Sequence, residues 1–217
     1  MARQAGITRA PTIEAAFEIA ATFATQPLPS GPRVLVLTTA GGWGVVTADA
    51  ISQSSELVLA PLPGDLKEAI NKLLPPRWSK NNPIDLAGGE TRDTIPELLS
   101  MASEHPEIDS IIQLGLGIQG NTANLVRTGK FYPEHGLERI VNFHERQEKR
   151  YAEAAIEASL SSGKPILLAS ELATTQPNNP MVRTIRNSGQ LCYASANRAV
   201  SALNHLVRYS GWRNQGN

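Results

Sequence analysis

Residues 34–50 read VLVLTTAGGWGVVTADA, and this stretch decides the fold. Residues 34–38 form an unbroken apolar run closed by a threonine. A strand of that kind is covered on both faces, as in a parallel sheet flanked by helices. Three glycines in four residues follow: Gly41, Gly42 and Gly44. Beyond them the pattern predicts a helix over about 45–54. Strand, glycine-rich turn and helix make the opening of a doubly wound α/β domain.

Working outward, the same alternation repeats. Strands are expected at 57–60, 108–116, 165–169 and 191–193, with a short extended piece at 84–86. Helices are expected at 65–74, 94–103, 138–161, 181–187 and 195–209. The helix over 94–103 takes Pro96 in its first turn. Five strands alternating with helices predict a mainly parallel sheet in the flavodoxin-like order 2-1-3-4-5. Upstream, Thr12 is a candidate N-cap for a leading helix over 12–25, with Ile13, Phe17, Ala20 and Ala24 near one face. Residues 26–32, QPLPSGP, form a three-proline break that lays this helix against the main body. The expected organisation is a leading helix and linker over 1–31, one module over 32–212, and a frayed tail over 213–217. Residues 117–136 show no clear period and read as a long loop, an uncommon feature that is usually functional or mobile.

Composition narrows the function. The 217 residues carry 20 basic and 20 acidic side chains, with 41% hydrophobic residues. Balanced charge argues against a nucleic-acid binder or a polybasic membrane binder. Cys192 is the single cysteine, which rules out an intramolecular disulfide and a cysteine metal site and suits a reducing compartment. Arg3, Arg9, Glu14 and Glu18 interrupt the first 23 residues, so these read as neither signal peptide nor membrane span. A cytoplasmic domain is expected.

In such a sheet ligands bind beyond the carboxyl ends of the strands. That places the turns after Thr38 and Leu116 at the functional edge. Gly41, Gly42 and Gly44 admit positive φ and close approach, and Thr38 and Thr39 add hydroxyls. The following helix presents free N–H groups and its positive end. These residues read as an anion site suited to phosphate; they equally suit a tight strand–helix turn with no ligand. The turn fits neither the Gly-Lys phosphate loop nor G-x-G-x-x-G. Trp43 either stacks on a ligand or packs at a core or interface. His105, His135, His144 and His205 lack metal-ligand spacing and read as structural or surface residues. Arg127, Lys130 and Arg139 read as a solvated basic face, with a phosphate-bearing ligand as the other reading. Residues 145–157 read as the exposed face of one helix, with Glu145 and Lys149 in the favourable i,i+4 order.

TTAGGWGVVTADA over 38–50, followed by NNPIDLAGG over 81–89, resembles the C-terminal flavodoxin-like ligase-CoA module of the NDP-forming acyl-CoA synthetases. That group includes ADP-forming acetyl-CoA synthetase and is related to succinyl-CoA synthetase. Thr38, Ala40, Gly41, Gly42, Gly44, Asp49 and Ala50 fit the family's first pattern, and Asn82, Pro83 and Asp85 its second. AGITRAPTIEAAFEIAATF resembles the family's leading helix and ANRAVSALNHLVRY its closing helix. Thr39 stands where the family usually has Asn, and the region 117–139 is longer and more basic than the family's.

The resemblance implies a share in converting acid, ATP and CoA to acyl-CoA, ADP and phosphate through a phosphohistidine. It implies that Thr38, Thr39, Gly41, Gly42 and Gly44 help hold the phosphoryl group. Asn82 and Asp85 either orient the incoming loop or histidine, or cap a turn around Pro83. The Ser-His-Thr-Gly-type loop that carries the histidine is missing here, so no catalytic residue and no metal ligand is expected in this chain. The implied partners are a CoA-binding Rossmann domain, the phosphohistidine domain and an ATP-grasp domain. CoA and ATP or ADP with Mg would serve the complete enzyme, and none would be held by this chain alone. The expectation is a module inactive by itself, with Met1 opening a fragment or split-gene subunit. A free-standing flavodoxin-like module for a flavin or phosphate ligand is the rival. A receiver-type switch is disfavoured, because the strand ends lack its aspartates.

Overall fold

The computed structural model describes residues 5–89 and 91–215. Expectations about a start at Met1 and about the last two residues lie outside the described residues. Along the chain run α1 (Ile13–Thr25), β1 (Arg33–Thr38), α2 (Gly41–Ser52), β2 (Val58–Leu59), α3 (Gly64–Leu73) and β3 (Ile84–Asp85). Next come α4 (Thr94–Glu104), β4 (Ser110–Leu114), α5 (Ile118–Arg127), α6 (Leu137–Ser162) and β5 (Ile166–Ala169). The chain closes with α7 (Leu172–Thr175), α8 (Pro180–Asn187), β6 (Cys192–Tyr193) and α9 (Ala196–Gln215).

The sheet is parallel, in the order β2-β1-β4-β5-β6, with β3 also paired to β1. Counting the five principal strands, this is the expected 2-1-3-4-5 arrangement. The sixth strand is the extended piece after Pro83. β2 pairs with the start of β1 at Arg33 and Val34, and β3 with its end at Leu37 and Thr38. One flank of β1 is therefore covered by two short strands in tandem.

Alternation along β1 divides the core. Leu35 and Leu37 join Ile111, Ile166 and Leu168 beneath α3, α4, α6 and α8. Val34 and Val36 join Ile112, Leu114 and Leu167 on the face covered by α2 and α9. Burial on both faces is what the unbroken apolar run required. Helix α1 begins with Thr12 accepting the Ala15 N–H at 3.1 Å. Its Thr22 hydroxyl meets the buried Tyr193 hydroxyl at 2.6 Å, fixing the leading helix over the end of β6.

Three segments differ from the sequence reading. Helix α2 starts at Gly41 rather than near Val45, so the glycines form its first turn. The expected loop over 117–136 contains the ten-residue helix α5. The closing helix continues through Gln215, so residues 213–215 extend it instead of opening a frayed tail. No helix among the described residues is long and apolar enough to cross a membrane.

Candidate functional site

The site is built where β1, β3 and β4 end. Thr38 is fully buried, and its hydroxyl donates to the Ala40 carbonyl at 2.9 Å while accepting the Ala40 N–H at 3.0 Å. The Thr39 hydroxyl donates to the Gly115 carbonyl at 2.8 Å, tying the turn after β1 to the turn after β4. Both hydroxyls thus serve the protein's own backbone. They are not free to converge on the helix end, as the sequence reading expected.

The end of α2 itself is open. Ala40 stands at the N-cap and offers no side-chain acceptor. Its carbonyl accepts from Trp43 at 3.1 Å and Gly44 at 3.4 Å. The N–H groups of Gly41 and Gly42 have no acceptor among the described residues. An uncapped first turn of this kind leaves donors and the positive dipole end facing outward.

Gly41 and Gly44 are needed for proximity, and none of the three glycines for positive φ, since none is among the positive-φ residues. A Cβ on Gly41 would lie 2.5 Å from Asp85 Oδ2. One on Gly44 would lie 3.1 Å from Thr38 Cγ2 and 3.2 Å from Pro83 Cβ. One on Gly42 would meet nothing within 4 Å, so open space adjoins the helix end on that side.

Asn82 and Asp85 part company. The Asn82 side chain is buried between β1 and its two short neighbours. Its Oδ1 accepts the Val36 N–H at 2.9 Å, and its Nδ2 donates to the Val34 carbonyl at 2.9 Å and the Ala60 carbonyl at 2.8 Å. The amide stands in for a missing peptide between β2 and β3 and cannot reach a ligand. Asp85 lies at the edge: Oδ1 accepts the Ala87 N–H at 2.9 Å, while Oδ2 lies beside Gly41.

A buried carboxylate lies behind the neighbouring turn. Glu148 of α6 accepts the Gly117 N–H at 2.6 Å and the Gly120 N–H at 2.9 Å, capping α5 from another helix. Burial pushes its pKa up, and the amide donors pull it down without cancelling the rise. Gly117 enters α5 with φ of 97°, where a Cβ would also strike Leu172 Cδ1 at 2.6 Å. The sequence reading assigned residues 145–157 to solvent. The helical phase shared by Val141, Glu148, Ala152 and Ala155, all buried, carried the contrary signal. Lys149 pairs with Glu153, and Glu145 with Arg127, in place of the expected Glu145–Lys149 pair.

The remaining candidates sit apart. Trp43 is half-exposed on α2, outside both core clusters. His105 contacts Asp65 at 3.3 Å, and His205 is packed against Arg208 with its pKa lowered by burial and by that charge. Cys192 is buried, which pushes its thiol up to about 12. No cluster of metal-ligating side chains occurs among the described residues.

Residues 34–124 match the Ligase-CoA domain family. The alpha subunit of ADP-forming acetate–CoA ligase I from Pyrococcus furiosus is 27% identical over 212 residues, which is 97% of this chain and 40% of that subunit. The alpha subunit of the same organism's ADP-forming acetate–CoA ligase II is 35% identical over 112 residues, covering 52% of this chain and 24% of that subunit. The ADP-forming 4-hydroxybutyrate–CoA ligase of Nitrosopumilus maritimus is 30% identical over 112 residues, 52% of this chain and 16% of that enzyme. The chain therefore spans well under half the length of these relatives. Among solved structures, the dinucleotide-forming acetyl-coenzyme A synthetase 1 of Ca. Korarchaeum cryptofilum, in complex with phosphate and ADP, superposes with a TM-score of 0.70. That match has 24% identity and covers 98% of this chain and 40% of that one. The glycine-rich strand–helix turn and the Asn82–Asp85 segment both fall inside the stretch, residues 34–124, that is similar to the Ligase-CoA domain family.

Proposed function

We propose that this chain is a module of an NDP-forming acyl-CoA synthetase, and that the N-terminus of α2 steadies a phosphoryl group carried on a histidine of another domain. The observation carrying this reading is the uncapped first turn of α2. Gly41 and Gly42 direct unpaired N–H groups outward, and the space beside Gly42 is clear. Donors fixed in place before the charge arrives lose little free energy to reorganisation.

Within this reading Gly41 and Gly42 hold the phosphoryl oxygens. Gly44 lets α2 approach Thr38 and Pro83 closely enough to aim them. Thr38 and Thr39 position the turn through their backbone bonds. Asp85 Oδ2, which has no hydrogen-bond donor among the described residues, is placed to accept an N–H from the incoming imidazole and so orient it. Asn82 supports the strand edge only. The complete enzyme would add a CoA-binding Rossmann domain, a phosphohistidine domain and an ATP-grasp domain, with CoA and ATP or ADP with Mg bound there. The ADP-forming ligases among the relatives support this placement.

Gly42→Val tests it in the complete enzyme containing this module. The site is open and helical, so the variant folds, and its methyl groups crowd the approach to the N–H groups. Histidine phosphorylation is expected to slow by about two- to thirtyfold, matching roughly 0.3–2 kcal/mol from one helix end. CoA affinity is expected to hold. A folded variant that phosphorylates at the normal rate reduces the turn to a plain strand–helix connection.

A further inference from the structure

A cleft of about 380 Å³ lies between α6 and α8, and none of the residues lining it belongs to α2 or the turn before it. Arg146 and Lys149 of α6 face Arg183 of α8 across it, and Asn142, Asn178 and Asn187 stand around them. Neither the Arg146 nor the Arg183 side chain makes an ion pair or a hydrogen bond among the described residues. The one carboxylate lining the cleft, Glu145, is held by Arg127 from α5. Lys149 leans on Glu153 at 3.3 Å, an exposed i,i+4 pair of little strength. In a chain of zero formal net charge, two unneutralised guanidinium groups on facing helices are a local excess of positive charge.

The cleft does not end at the charges. Past Lys149, Thr184 and Asn187 it continues into a trough lined by Ile156 and Leu160, with Glu153 and Glu157 beside them. Leu160 is 75% exposed there. The helical spacing 146, 149, 153, 156, 160 keeps the charged and apolar parts on one stripe of α6. A site with cations at one end and aliphatic side chains at the other suits an anion joined to an apolar or aromatic body. Guanidinium forks favour phosphate, which they grip through paired N–H donors.

We infer that the α6–α8 cleft binds a phosphate ester of nucleotide size, its phosphates between Arg146 and Arg183 and its body along Ile156 and Leu160. The site is independent of the phosphoryl role proposed for α2.

Site-resolved amide shifts of the full chain, titrated with pyrophosphate and then with ADP at low salt, test this. Both are expected to shift Arg183, Thr184 and Asn187 with a Kd below about 1 mM. ADP alone is expected to shift Ile156 and Leu160 as well. The double variant Arg146→Ala, Arg183→Ala changes only exposed side chains; it is expected to keep the fold and to weaken binding about tenfold or more, as loss of charge-assisted bonds requires. Shifts at Gly41 and Gly42 with none at Thr184 and Asn187 would overturn the cleft and leave the α2 reading standing. Binding unchanged in the double variant, or no shift with either probe, also overturns it.

Discussion

Asn82 shows how much one side chain can hold in this fold. Its amide closes three backbone bonds between β1 and the segments on either side, all of them buried. Asn82→Ala leaves the Val36 N–H and the Val34 and Ala60 carbonyls without that partner. The Val34 carbonyl keeps the Ala60 N–H at 2.9 Å, so at about 1–3 kcal/mol for each of the two buried groups left unsatisfied the loss is about 2–6 kcal/mol, measurable by urea unfolding. Asn82→Asp should cost as much, since a carboxylate cannot donate to two carbonyls. The N-P-x-D spacing marked this residue in the sequence, but not its work. A strand gap filled by a side chain leaves no periodic trace. The glycines were legible in the same partial way: their presence marked a close approach, while the partners, Asp85 and Pro83, arrive forty residues later.

At the scale of elements, α5 depends on a residue outside itself. Its first turn is capped by Glu148, about thirty residues along the chain. Glu148→Gln removes a buried charge, which favours the variant, but turns an NH2 group toward one of the two N–H donors. With both bonds short and buried, the lost acceptor prevails. Opening of the first turn of α5 should become easier by about 1–3 kcal/mol, read as faster amide exchange at Gly117 and Gly120. This dependence explains why residues 117–136 looked structureless. The segment begins with glycine, has no Ser, Thr, Asp or Asn at its N-cap, and takes its cap from a distant helix. The strands and the long helices carried their own signals, continuous apolar runs and a 3.6-residue period, and so were plain.

For the whole molecule, one acid group links three stretches of chain. Asp109, beside β4, accepts from the Arg33 guanidinium at 2.8 and 2.9 Å, from the Arg33 N–H at 2.9 Å and from the Ser30 hydroxyl at 2.8 Å. Burial alone would raise its pKa. The Arg33 side chain, the backbone donor and Ser30 outweigh burial and hold the carboxyl below its usual value. A carboxyl more acidic in the folded than in the unfolded state adds stability above its unfolded pKa and loses it as pH falls. The protein should therefore weaken below about pH 4, the ordinary aspartate range. Thermal melts across pH 3–6 are expected to show that slope in the native chain and a flatter one in Asp109→Asn, which starts less stable.

Both margins of the sheet are made of two-residue strands: β2 and β3 in tandem on one side and β6 on the other. Strands that short expose too few unpaired N–H and C=O groups to template a visiting strand. The tandem margin is further closed by Asn82, which engages the backbone groups left between β2 and β3. Growth by edge-to-edge pairing, the usual route from an open sheet to fibres, is shut at both ends. Any assembly this chain enters must be made through helix surfaces and turns.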